Sequence, residues 1–157
     1  MTRLFHWWLA ATTLPTLIIN PTRRSRLAQM RAFCRALPGV LKNPLPAALQ
    51  SITPQAATHP ASQSHEEHLT RTLADLAALL ERRSPLGLCL RRSLTRYHFL
   101  RQIEVPVILQ FGAKFVADRP DREVTGHAWL TLAGRPYYEA DENWRGFKVM
   151  FSHPPNN

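Results

Sequence analysis

Cysteine is almost missing from this chain: Cys34 and Cys89 are the two thiols among 157 residues. They could form at most one disulfide, neither sits in a C-x-x-C pair, and none of the histidines makes a metal-ligand pair with either. No zinc site is expected, and a reducing, cytoplasmic setting is the simpler assumption. Acidic residues are missing from the whole first part of the chain, since all eleven lie at Glu66 or later. Arg3, Arg23, Arg24, Arg26, Arg31, Arg35 and Lys42 precede them with nothing to offset their charge. The net charge of +9 suits an anionic partner such as nucleic acid, a membrane surface or an acidic peptide. No RNA- or DNA-binding motif accompanies the arginines, so nucleic acid is not the expected partner. Long apolar runs are missing too. The longest, residues 4–19, contains His6, Thr12, Thr13, Pro15 and Thr16 and is shorter than the roughly 20 residues a membrane-spanning helix needs. Its basic flank lies behind it and no small-x-small cleavage site follows Ile19, which argues against a signal peptide. Trp7 and Trp8 beside a basic stretch suit docking to a partner or a membrane surface, and packing on the chain's own domain equally.

What is present is a globular composition, 45% hydrophobic and 20% charged, in an order that changes along the chain. Between residues 23 and 41, Leu27, Met30, Phe33, Cys34, Leu37 and Leu41 keep helical spacing. Cys34 lies on that apolar face and reads as packing. Pro44, Pro46, Pro54 and Pro60 mark residues 43–64 as an irregular connection. A division follows: residues 1–63 form a basic, proline-rich helical docking region and residues 64–157 a domain. Ser64-His65-Glu66-Glu67 has the form of a capping box, and Leu69, Leu73, Leu76, Leu79 and Leu80 continue as a helix. Pro85 and Gly87 then break the chain just before Cys89, from which Leu90, Leu94, Tyr97 and Leu100 recur at helical spacing. The arginines fall on the other faces, and Arg91-Arg92 reads as a solvated pair. After Leu100 the period becomes two. Residues 107–115 and 126–132 read as strands, Ala133-Gly134 as a turn and residues 135–139 as a third strand. Helix, helix, then an antiparallel meander predicts an α+β domain with helices on one face of a small sheet.

The chemistry centres on Cys89. In the first turn of a helix, unpaired N–H groups and the positive end of the dipole favour an anion, and Arg91 and Arg92 push the same way, so a thiolate is stabilised there. A lone cysteine is more often a small buried hydrophobe, and its downstream company decides the matter. A nucleophilic thiol needs a base and a group that orients the base. His127 and Glu139 can supply both if they share a face. A two-residue Ala133-Gly134 loop pairs Leu132 with Arg135 and sends Glu139 to the face opposite His127. A three-residue loop ending at a left-handed Gly134 sets the two directly across from each other and is the favoured expectation. Asp141 has the same parity and is the reserve. His59, His65, His68, His98 and His153 read as linker, helix-surface or tail residues.

Cys89-Leu90-x-Arg92-Ser93-Leu94-x-x-Tyr97-x-x-Leu100-Arg101, the strand at 107–112, Gly126-His127-Ala128-Trp129-Leu130 and a carboxylate twelve residues past the histidine together resemble the lasso-peptide B2 proteases. These are transglutaminase-like, papain-like cysteine peptidases that remove the leader from a ribosomally made precursor. The resemblance covers about residues 65–145. It implies Cys89 as nucleophile, His127 as general base and acid, and Glu139 as orienting acid, where the family more usually has aspartate. It implies no cofactor and no metal. As partners it implies the precursor peptide, a separate leader-recognition protein and an ATP-dependent lasso cyclase. Two other functions compete: a transglutaminase or peptide ligase using the same acyl-enzyme, and a basic adaptor for nucleic acid or membrane.

Overall fold

The computed structural model describes residues 20–54, 63–115 and 123–155. Trp7, Trp8, His59 and the apolar run at 4–19 lie outside these residues. The chain divides by packing into two units, one ending at Val105 and one beginning at Pro106.

The first unit is helical. Helix α1, Pro21–Val40, opens with Asn20, whose side chain accepts the Arg23 N–H at 3.2 Å, and with a proline in its first turn, where a missing N–H costs nothing. Helix α2, Leu45–Ile52, occupies the stretch expected to be irregular. Pro44 caps it and Pro46 lies in its first turn, so prolines read as breakers here start a helix. Helix α3 spans Gln63–Leu80, with Ser64 inside it rather than at its cap, and α4 spans Leu88–Gln102. Met30 and Cys34 of α1 are buried in one cluster with Leu73, Ala74, Leu76, Ala77 and Ala78 of α3 and Phe99 of α4. Helix α1 thus supplies part of the core that α3 and α4 need, within the unit that ends at Val105. Leu37, Leu49, Leu94 and Leu100 are fully buried as well. Each stabilises the fold by about 1.5–3 kcal/mol.

Arginines inside this unit overturn the expectation of a solvated helix face. Arg91, Arg92 and Arg96 are all buried. Arg96 closes a two-armed pair with Asp75 of α3, both contacts at 2.5 Å. Arg91 donates to three carbonyls, those of Ala78 at 3.2 Å, Ser84 at 3.4 Å and Leu86 at 2.5 Å. These bonds tie the end of α3 and the following loop to the start of α4. His98, expected on the surface, is instead stacked on Phe33 with 4.3 Å between centroids, and its Nδ1–H donates to the Ile52 carbonyl at 2.6 Å.

The second unit is a four-stranded antiparallel sheet in the order β3-β2-β1-β4. Strand β1 is Ile108–Phe115, β2 Val124–Leu132, β3 only Arg135–Pro136 and β4 Lys148–His153. A short helix α5, Asp141–Trp144, lies between the last two strands. Register is held by a polar chain across three strands. Ser152 donates to Gln110 Oε1 at 2.6 Å and Gln110 Nε2 donates to Thr131 Oγ1 at 3.3 Å, with Gln110 and Thr131 both buried. Slipping by one residue would strand these groups without partners. Helices followed by an antiparallel sheet make the chain α+β, as the change of period predicts. Among the described residues no helix is long and apolar enough to cross a membrane.

Candidate active site

Cys89 is the second residue of α4 and is partly exposed. Gly87 is the cap of that helix and contributes no side-chain cap. A Cβ added to Gly87 would come 4.0 Å from the Cys89 sulfur. The thiol therefore lies beside the amide end of the helix, the place predicted for it, where the dipole favours a negative charge. Arg91 holds the loop in front of it through the carbonyls of Ser84 and Leu86. Its contribution is thus to shape the helix entry.

Cys34 has the opposite surroundings. It is fully buried, and its sulfur lies 3.0 Å from Thr95 Oγ1. That hydroxyl donates to the Arg91 carbonyl at 2.7 Å, so the thiol is the donor to Thr95. Burial pushes the Cys34 thiol above its ordinary range, with the Thr95 hydrogen bond opposing. A thiol kept protonated in a core packs and does not attack, as its place on the apolar face implies.

In the sheet unit, His127 stands on β2 directly across from Gly112 of β1. Its Nε2 lies 3.5 Å from Glu139 Oε1, with the histidine side chain 13% and the glutamate side chain 2% exposed. The expected pair is present, but the loop expected to produce it is not. Leu132 pairs with Arg135 and Thr131 with Pro136, so the turn has two residues, both with positive φ, Ala133 at 49° and Gly134 at 76°. That is the two-residue hairpin whose twist matches the strands. The third strand stops at Pro136 and does not reach Glu139. Tyr138, with φ of 47°, takes the chain out of the ladder before Glu139. Asp141 is engaged in its own turn, accepting the Trp144 Nε1–H at 3.3 Å and pairing with Arg145 at 2.5 Å, and its side chain is 57% exposed.

Trp129, part of the Gly126–Leu130 motif, and Phe147, which no motif signals, frame the histidine. The indole of Trp129 is stacked beside the His127 ring at 5.8 Å and 15°. Phe147 approaches the same ring at 5.4 Å, and Lys114 Nζ lies 4.5 Å over the Phe147 centroid. Gly112 makes the arrangement possible, because a Cβ there would come 2.7 Å from Trp129 Cη2. A glycine inside a strand of β-branched and aromatic residues is the signal that could have found it.

A half-exposed thiol at a helix start, and on the sheet a buried carboxylate facing a histidine, are the parts that thiol acyl chemistry requires. Comparison with known proteins agrees at that level: residues 40–152 match the model of the transglutaminase-like superfamily. The chain belongs to that superfamily. The matched span contains Cys89, His127 and Glu139 and begins ahead of α2. No curated protein and no solved structure matches the chain. Membership suggests activity of the cysteine-peptidase or transglutaminase type.

Proposed function

We propose that the protein is a cysteine endopeptidase that cleaves the leader from a ribosomally made lasso-peptide precursor. The observation that carries the reading is the pair on the sheet, a buried Glu139 carboxylate facing His127 Nε2 at 3.5 Å, in a chain whose one accessible described thiol heads a helix. Glu139 is the group suited to orient the His127 imidazole and to stabilise its protonated form, as the third member of a triad does. The Cys89 thiolate attacks the carbonyl at the leader–core junction and breaks the amide as His127 gives its proton to the leaving amine. Water then hydrolyses the acyl-enzyme and returns the thiol. Amides at the start of α4 are the donors suited to the oxyanion. The precursor, a separate leader-recognition protein and an ATP-dependent cyclase are its proposed partners, and the cytoplasm its proposed location.

A transglutaminase or ligase would use the same acyl-enzyme and pass it to an amine, so product mass separates the two. The basic-adaptor reading loses ground in α1: Arg26 pairs with Glu66 at 2.6 Å, and Arg31 and Arg35 pair with Glu81 at 2.8 and 3.3 Å. Charges so paired offer less to a phosphate backbone.

The test is incubation of the full chain with a synthetic precursor and the recognition protein, followed by mass spectrometry. Release of a leader whose new carboxyl terminus carries the mass of water is expected. Cys89→Ala should abolish it and Cys34→Ala should leave it largely intact. Equal loss in both variants, or loss in neither, ends the cysteine-peptidase reading.

A further inference from the structure

Strand pairing assigns a face to every residue of a hairpin, and here it assigns the wrong one to Glu139. Leu132 pairs with Arg135 and Thr131 with Pro136 across the two-residue turn. The next ladder bond is still in place, since the Tyr137 N–H donates to the Leu130 carbonyl at 2.8 Å. Two more residues of the same strand would set Glu139 opposite Ala128, on the face away from His127. Its carboxylate instead lies 3.5 Å from His127 Nε2 and is buried.

One residue separates the last ladder bond from Glu139. Tyr138 has φ of 47°, the left-handed region, which a bulky side chain rarely enters. A left-handed residue in an extended run turns the chain out of the pleat and breaks the alternation that follows. Burial does not explain the conformation, because Tyr138 is 57% exposed, its ring meeting Tyr137 edge-on at 4.9 Å. Strained backbone of this kind persists where the surrounding structure holds it, and it gathers at functional sites.

We propose that Tyr138 is a positioning residue whose left-handed backbone, rather than its ring, carries Glu139 from the face dictated by the hairpin onto His127. Its importance for catalysis rests on the peptidase reading above; its effect on the His127–Glu139 contact does not. Glycine and asparagine enter the left-handed region easily, and β-branched isoleucine and valine least. Tyr138→Gly and Tyr138→Asn should therefore keep the contact, and Tyr138→Ile should lose it.

The readout is the titration of the His127 ring followed by NMR in the folded full chain. A carboxylate at this distance holds a proton on the imidazole, so losing it should lower the midpoint by about one pH unit. Lys114, whose Nζ lies over the Phe147 ring beside His127, is unchanged in every variant. Tyr138→Gly and Tyr138→Asn should titrate with the parent. Tyr138→Ile should fall as far as Glu139→Gln, and the double variant no further, because both remove one contact. Should Tyr138→Ile fail to fold, Tyr138→Val is β-branched as well, carries the same backbone penalty and should give a like fall. A merely structural loss of stability would not move the midpoint of the folded molecules. An unchanged midpoint in both the isoleucine and valine variants, or a fall in the glycine variant, would overturn the proposal. Failure to cleave a precursor would defeat the peptidase reading and leave these midpoints as they are.

Discussion

Each unit of the molecule buries a carboxylate, and the two have different partners. Asp75, in the helical unit, is 4% exposed at its side chain and meets Arg96 through two contacts of 2.5 Å. Glu139, in the sheet unit, is 2% exposed and faces one nitrogen of His127 at 3.5 Å. A guanidinium never releases its proton at ordinary pH, and its fork matches both carboxylate oxygens, so Asp75 and Arg96 form a permanent strut. An imidazole exists in a neutral as well as a protonated form, so Glu139 faces a partner whose charge is not fixed. The burial is the same. The partner decides whether a buried carboxylate faces a fixed charge or one that can change.

That contrast can be broken most forcefully at Asp75. Asp75→Ala leaves the Arg96 charge buried alone and should cost about 3–5 kcal/mol in urea denaturation. Replacing both residues by apolar side chains of similar volume should recover most of the loss. A small cost for the single change would mean that Arg96 finds water or another partner.

Glu139→Gln should do the reverse. Leader cleavage should fall at least about tenfold while denaturation shifts by less than about 1 kcal/mol, since shape and hydrogen bonding are kept and the charge alone is removed. A destabilised but fully active variant would place Glu139 with Asp75 as a strut.

His98 extends the comparison to a titratable ring in the helical unit. Burial holds its pKa below the ordinary range, with the hydrogen bond to the Ile52 carbonyl opposing. The unfolded chain therefore takes up this proton first, at about pH 6.5. The associated stability is complete above that pH and is lost as pH falls toward the lower folded value, with a slope of at most about 1.4 kcal/mol per pH unit. Denaturation series between pH 7 and 5 should show the slope in the parent and a flatter one in His98→Gln. Equal slopes would remove His98 from the account.

The smallest effect is expected at Asp141. It is exposed and paired with Arg145 in its own turn, so Asp141→Asn should change cleavage by no more than about twofold, within the usual range for surface sites. A loss larger than that of Glu139→Gln would transfer the orienting role to Asp141.

Much of this site is legible in the chain because its signals are local. Pro85 and Gly87 followed by an apolar repeat place Cys89 at a helix start, and α4 begins one residue before it. Alternation from residue 107 and from residue 126 yields β1 and β2. The Pro44–Pro46 region misleads because proline breaks a helix interior and equally begins a helix, and sequence alone shows no difference until Ala48, Leu49 and Ile52 find a core to enter.

The sequence by itself determined the helices that frame the thiol, the paired strands, the place of Cys89 and the buried role of Cys34. Periodicity and chain breakers act over a few residues and need no partner to be read. Only the tertiary structure decided that Arg91, Arg92 and Arg96 go inside, since the groups that compensate Arg96 and Arg91 are contributed from 21 residues away at Asp75 and 13 away at Ala78. It decided too that Glu139 meets His127. Parity is a property of an unbroken strand, and β3 ends at Pro136, so the face taken by Glu139 was set by the left-handed Tyr138 and not by the count of residues.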